Sequence, residues 1–185
     1  MKIVKIVLAL LIAAVGIVAA LAARMPDQYM YTRERVIAAK PATLFAQIND
    51  LNNFNTWSPW ARLDPNAKIT FDGAPAGPGA AMHWDGNAKI GKGSMTIEDA
   101  VRNKSVTYDL VFEKPMAGTS VSQITLEPMD ARNTKVTWSM SGTSKFHEKM
   151  IAVVMNCEKM MGEQFDAGLV NLAAKVERHM PVKKK

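Results

Sequence analysis

With 185 residues, 48% of them hydrophobic and 22% charged, the chain is long enough to bury one sizeable core and too apolar to be disordered. Its net charge of +6 and pI of about 9.5 would suit nucleic acid, yet Lys2, Lys5, Arg24 and Lys183 to Lys185 carry the whole excess. Residues 25–182 sum to zero and lack the basic stripe that a phosphate backbone requires, which excludes nucleic acid as the expected partner.

After Lys2 and Lys5, residues Ile6 to Ala23 (IVLALLIAAVGIVAALAA) run without a charged or strongly polar side chain, until Arg24, Pro26 and Asp27 close the segment. As a helix rising about 1.5 Å per residue, the run is roughly 27 Å long, close to the hydrocarbon thickness of a bilayer. Three readings are open: a retained signal anchor, a signal peptide cleaved after the small-x-small Ala20-Leu21-Ala22, and a buried helix. The run is longer than a usual signal core, which favours the anchor. Lysines ahead of it place the amino terminus in the cytoplasm and the domain outside, although Arg24, Arg33 and Arg35 behind it weaken that orientation. The expected division is an anchor at 1–25, one domain at 26–180 and a basic tail at 181–185.

Past the anchor, 29–39 (YMYTRERVIAA) reads as a strand, and Lys40-Pro41-Ala42-Thr43 opens a short helix with Leu44, Phe45 and Ile48 at helical spacing. The stretch NTWSPWARLDPN is a second short helix or turn, because Pro59 denies a longer helix its hydrogen bond. The period then changes to two. Strands are expected at 68–72, 80–85, 92–101, 105–113, 119–127 and 134–142, joined by turns rich in Gly, Asn and Asp that make neighbours antiparallel. A helical run over 148–178 ends the chain. At roughly 45 Å it is long enough to cross a seven-stranded sheet.

Alternation puts Ile69, Phe71, Met82, Trp84, Met95, Ile97, Tyr108, Leu110, Phe112, Ile124, Leu126, Val136, Trp138 and Met140 on one face. The last helix carries a matching stripe of Ile151, Met155, Met161, Phe165, Leu169, Leu172 and Val176. Gly162 and Gly168 interrupt that helix, either to let the sheet approach or to leave space. Cys157 is the single cysteine, so no internal disulfide can form; it reads as a small buried apolar residue.

This order of elements resembles the helix-grip superfamily known as SRPBCC or START-like, and most closely its bacterial polyketide cyclase/dehydrase and lipid transport group. The resemblance rests on RVIAAKPATLFAQIND, NTWSPWARLDPN, GKGSMTI, VTWSMSG and CEKMMGEQFDAGL, and covers about 28–178. It implies an α+β fold: a seven-stranded antiparallel curved sheet around a long C-terminal helix, with two short helices after the first strand, here preceded by a transmembrane helix. It also implies a cavity between sheet and helix, with Trp57 and Trp60 lining or plugging its mouth. Because the superfamily holds carriers, receptors and a few enzymes, the fold leaves the function open.

The candidate cavity residues are Trp57, Trp60, Met82, Trp84, Met95, Tyr108, Phe112, Trp138, Met155, Glu158, Met161 and Phe165. The thioethers suit a wall that adapts to varied apolar ligands, and equally an irregular core. Inward polar groups are few: Tyr108, Ser122 and Glu158. No catalytic residue is assigned, and no combination of the three histidines, Cys157 and nearby acids has metal-ligand spacing, so neither metal nor cofactor is expected. His83 and Asp85 share the outer face at strand spacing and form a possible pair. The expected function is binding, and possibly transport, of a lipid or other hydrophobic small molecule by a domain tethered to the bacterial inner membrane on its extracytoplasmic side, or secreted after cleavage. The alternatives are a cyclase- or dehydratase-like enzyme using Tyr108 or Glu158, and a protein-interaction module with a collapsed cavity.

Overall fold

The computed structural model describes residues 2–177; the expected basic tail at 181–185 and Arg178, the last residue of the expected helical run, lie outside them. The apolar run forms one helix, α1 (Lys2–Arg24), whose side chains are exposed along most of its length. The domain begins with β1 (Gln28–Ile37), followed by α2 (Pro41–Ile48), α3 (Leu51–Trp57) and a 3₁₀ turn, Trp60–Arg62. Pro41 occupies the first turn of α2, where its missing N–H costs nothing. Asp50 caps α3 by accepting from the backbone N–H groups of Asn52 and Asn53, so the Asn-rich stretch makes two short helices instead of one.

Six strands follow: β2 (Lys68–Gly73), β3 (Ala80–Asp85), β4 (Lys92–Val101), β5 (Ser105–Lys114), β6 (Gly118–Pro128) and β7 (Thr134–Thr143). With β1 they form one antiparallel sheet in the order β1-β7-β6-β5-β4-β3-β2. The strand ends agree with the periodicity to within two residues, because Gly, Asn and Asp punctuate the alternation. Every apolar face named from the alternation lies on one side of this sheet, and its central members Ile97, Tyr108, Ile124, Val136 and Trp138 are buried.

The expected continuous terminal helix is instead two. It divides into α4 (Phe146–Met155) and α5 (Cys157–Glu177) at Asn156, whose backbone is left-handed at φ 48° and ψ 58°. Asn tolerates this conformation better than other side chains, so it ends α4 as a C-cap. α5 continues along the sheet, burying Phe165, Leu169, Leu172 and Val176. α4 turns away and packs against α1. Met155 therefore leaves the inward stripe and stands 55% exposed.

The two helix glycines both admit a sheet side chain. A Cβ at Gly168 would lie 2.6 Å from the Trp138 ring, and one at Gly162 would lie within 2.0 Å of the Arg33 guanidinium, which pairs with Asp166 at 3.3 Å.

Candidate functional site

The sheet's inner face has two unlike ends. Towards α2 and α3 it is filled by aromatic rings. Trp138 stacks on Phe165 with centroids 4.6 Å apart and planes at 8°, and meets Trp57, Trp60 and Phe54 edge-on at 5.5, 5.7 and 5.8 Å. Such pairs add about 0.5–1.5 kcal/mol each beyond their buried area. The polar edges are satisfied too: Trp57 Nε1 donates to the Gln47 carbonyl, and Trp138 Nε1 donates to Ser122 Oγ, which donates in turn to the Ser139 carbonyl. Tyr108 is fully buried and donates its hydroxyl to the Ile48 carbonyl at 2.6 Å. Asn171 on α5 ties down this end by donating to the Trp57 carbonyl. The paired tryptophans thus fasten the two short segments onto Trp138 and α5.

Towards the start of β1 and the end of β7, the same face is looser. Register places Tyr29, Gly142, Ser120, Leu110, Met95, Met82 and Phe71 in one row. The next row holds Gly118, Phe112, Gly93, Trp84 and Ile69. Gly93 and Gly142 let rings lie flat on the sheet: a Cβ on either would fall within 2.5 Å of Trp84 or Tyr29. Trp84, Phe112, Leu110, Tyr29, Tyr31 and Met161 are only half-buried, whereas Met82 and Met95, beside Leu110 in the same row, are buried. Trp84 is held by its Nε1 donating to the Ile90 carbonyl and by an edge contact to Phe112 at 6.0 Å.

A polar pair sits in this looser end. The Tyr29 hydroxyl and Ser120 Oγ are 2.7 Å apart, and Tyr31 stacks beside Tyr29 at 5.1 Å. Burial, and then the nearby Cys157, Tyr29 and Glu158, push the Tyr31 hydroxyl up to about 12. Tyr29, Tyr31, Leu110 and Ser120 were absent from the sequence-based candidates, although the alternation of YMYTR places both tyrosines and Arg33 on one face. The groove at Gly162 that receives Arg33 on that same face is visible only in three dimensions.

The candidate residues therefore divide. Trp57, Trp60, Trp138, Tyr108 and Phe165 belong to the packed end; Met82, Trp84, Met95, Phe112 and Met161 belong to the looser end. Met155 and Glu158 are solvent-exposed, Glu158 close enough to Tyr31 to act on its hydroxyl. Glu158 and Tyr108 do not make an acid–base pair, since one is solvated and the other is committed to a backbone carbonyl, with its acidity further suppressed by burial. His83 pairs with Asp72 at 2.9 Å across β2 and β3, not with Asp85, because the antiparallel register brings Asp72 diagonally opposite. Cys157 is half-buried and its thiol is shifted up by burial. Among the described residues, no cluster of three or more His, Cys, Asp or Glu side chains is arranged for a metal.

Two concavities flank this core. One of about 180 Å³ lies at the sheet edge, lined by Leu51, Phe71, Pro75 and Ala80 among others. The other, about 710 Å³ and open to solvent, lies where α1 meets the start of α4 and is lined by Ala23, Asp27, Ser144, Lys145, Phe146 and Lys149 among others.

The family described as polyketide cyclase / dehydrase and lipid transport matches residues 30–177. The chain belongs to that family. Solved structures share its fold: a Mesorhizobium loti protein (TM-score 0.60, 15% identity, covering 83% of this chain and 100% of that one) and a Chromobacterium violaceum protein (0.58, 18%, 83% and 99%). The Zhui aromatase/cyclase from a Streptomyces species is similar to the same degree (0.58, 13%, 84% and 97%). At these identities the likeness carries the helix-grip architecture alone. Among curated proteins no sequence matches.

Proposed function

We propose that this protein binds a lipid or another apolar small molecule at the looser end of its inner face, as a domain tethered to a membrane by α1. The observation that carries the reading is the contrast between a ring-packed end and an end where Trp84, Phe112, Leu110 and Met161 remain half-buried beside Met82 and Met95. A ligand completing that burial would gain about 25 cal/mol per Å² of apolar surface removed from water. Methionines adapt to ligands of varied outline, and the Tyr29–Ser120 pair offers a hydroxyl to a polar end group. The family's description, which includes lipid transport, supports this reading.

Tethering is supported by the length of α1, its mean hydropathy of 3.0 and its exposure. We place the domain on the extracytoplasmic side of a bacterial inner membrane, from the lysines ahead of the run. Binding is favoured over cyclase or dehydratase chemistry, because Tyr108 is buried and committed to the Ile48 carbonyl and Glu158 is a solvent-exposed carboxylate.

Native mass spectrometry of the full chain released from detergent, purified from its host, tests the reading. A co-purifying apolar mass that is lost in Leu110→Arg supports it. An empty protein that also fails to take up a fluorescent fatty acid overturns it and leaves an interaction module with a filled interior.

A further inference from the structure

α4 does not cover the sheet; it covers the end of α1. Ala22 is fully buried, and Val18 and Ala19, on the same side of α1, are half-buried, while the rest of the apolar run is exposed. These three residues occupy the last two turns of α1, and α4 is the element that packs there. Lys149 of α4 locks the joint. It is itself buried, donating to the Met25 carbonyl at 2.9 Å just past the end of α1 and to Asp27 Oδ1 at 2.5 Å. A cation there also suits the negative end of the α1 dipole.

The position of α4 relative to a bilayer follows from this joint. If Ile6 to Ala23 crosses the hydrocarbon, Val18 lies about 7 Å inside its outer boundary at the helical rise, and any helix lying against Val18, Ala19 and Ala22 shares that depth. α4 has the composition for it. Its second half, Ile151 to Met155, is wholly apolar, and Phe146, Val154 and Met155 are 52%, 71% and 55% exposed with no protein covering them. Its N-cap is Lys145, and the open 710 Å³ concavity beside it is lined by Lys145 and Ser144, groups suited to the headgroup layer.

We propose that α4 is an interfacial helix whose apolar side chains sit in the outer boundary of the bilayer beside α1. The looser end of the sheet then faces that bilayer, because β1 starts and β7 ends there, immediately beside α1 and α4. A ligand would pass between lipid and protein without crossing bulk water. The inference rests on the tethering reading above.

The test uses the full chain with Cys157→Ala, so that single cysteines can carry an environment-sensitive fluorophore in vesicles of zwitterionic and anionic phospholipid. Labels at Phe146 and Val154 are compared with one at Leu10 in the anchor and one at Gln123 on the outer face of β6. Bromine-labelled lipid is expected to quench Leu10, Phe146 and Val154, and aqueous iodide to quench Gln123. Iodide quenching with no bromolipid quenching at Phe146 or Val154, while Leu10 remains lipid-quenched, overturns the interfacial helix and leaves the tether standing. Loss of lipid quenching at Leu10 as well overturns both.

Discussion

Trp138 and Trp84 stand on the same face of one sheet and meet different fates. Trp138 touches Phe165, Trp57, Trp60 and Phe54 and is buried; Trp84 rests on Gly93 with one ring contact to Phe112 and stays half-exposed. One end of the fold has its apolar partners supplied from within the chain. The other end presents apolar surface whose burial is incomplete, which is the condition for taking a partner from outside. On the proposed reading, stability and ligand binding are segregated along the strands.

Replacing each ring tests that segregation most severely. Trp138→Ala is expected to cost about 3–5 kcal/mol in urea unfolding, since it removes the ring that the others share and leaves a cavity they cannot close. Trp84→Ala should cost about 1–2 kcal/mol, because its ring is only partly buried and has one ring neighbour. Equal losses at the two positions would erase the distinction between the ends.

The two glycines of α5 offer a finer comparison. Either change to Ala gains about 1 kcal/mol of helix propensity. At Gly168 the new methyl meets the Trp138 ring at 2.6 Å and Pro59 at 3.2 Å. That ring is held on its other contacts and cannot retreat, so Gly168→Ala should destabilise by a net 1–2 kcal/mol or so. At Gly162 the methyl meets only the end of the Arg33 side chain, which can swing into solvent at the loss of a partly exposed ion pair worth about 0–1 kcal/mol. Gly162→Ala should be neutral within about 0.5 kcal/mol. Thermal unfolding of the pair checks both, and a stabilising Gly168→Ala would mean that the packed end has slack.

Much of this architecture was legible in the sequence. Strand ends were marked by Gly, Asn and Asp, and alternation assigned the inner face correctly, since both signals are local. What alternation cannot report is whether the inner side chains fill the space between layers. Trp138 fits because Gly168, on a different element, lacks a side chain; Arg33 is tolerated among apolar neighbours because Gly162 lies opposite. The break at Asn156 was hidden for a related reason. IAVVMNCEKMM reads as uninterrupted helix, and the competition that bends it, α4 burying against α1 instead of the sheet, involves residues at the far end of the chain.

Asn156 therefore separates the part of the terminal helical run that packs on the sheet from the part that packs on α1. Its left-handed backbone suits Gly at least as well as Asn and disfavours a Cβ by about 1 kcal/mol. Asn156→Gly should leave the melting temperature almost unchanged. Asn156→Ala should lower stability by about 1 kcal/mol, or else straighten the joint and withdraw α4 from α1, which disulfide trapping between cysteines placed at Val18 and on α4 would register as a lost cross-link.

The smallest effect compares the ends through their tyrosines. Tyr31, at the looser end, is held up to about 12, and Tyr108, in the packed end, is held well above its ordinary value, in both cases first by burial. An unfolded tyrosine loses its proton near pH 10. Each raised value therefore contributes stability that is fully present below pH 10 and is lost as the pH rises through the folded value, because the unfolded chain ionises first. Urea midpoints should fall between pH 10 and pH 12. Tyr31→Phe should flatten that fall modestly, since Tyr31 is only partly buried, and absorbance titration should find Tyr31 ionising while the protein stays folded. Tyr108 should ionise only as the protein unfolds, because its phenolate would be buried against the Ile48 carbonyl with no donor in reach of its charge. A Tyr108 that titrates reversibly in the folded protein would show that water reaches the ring-packed end, and the division of labour along the strands would fail there.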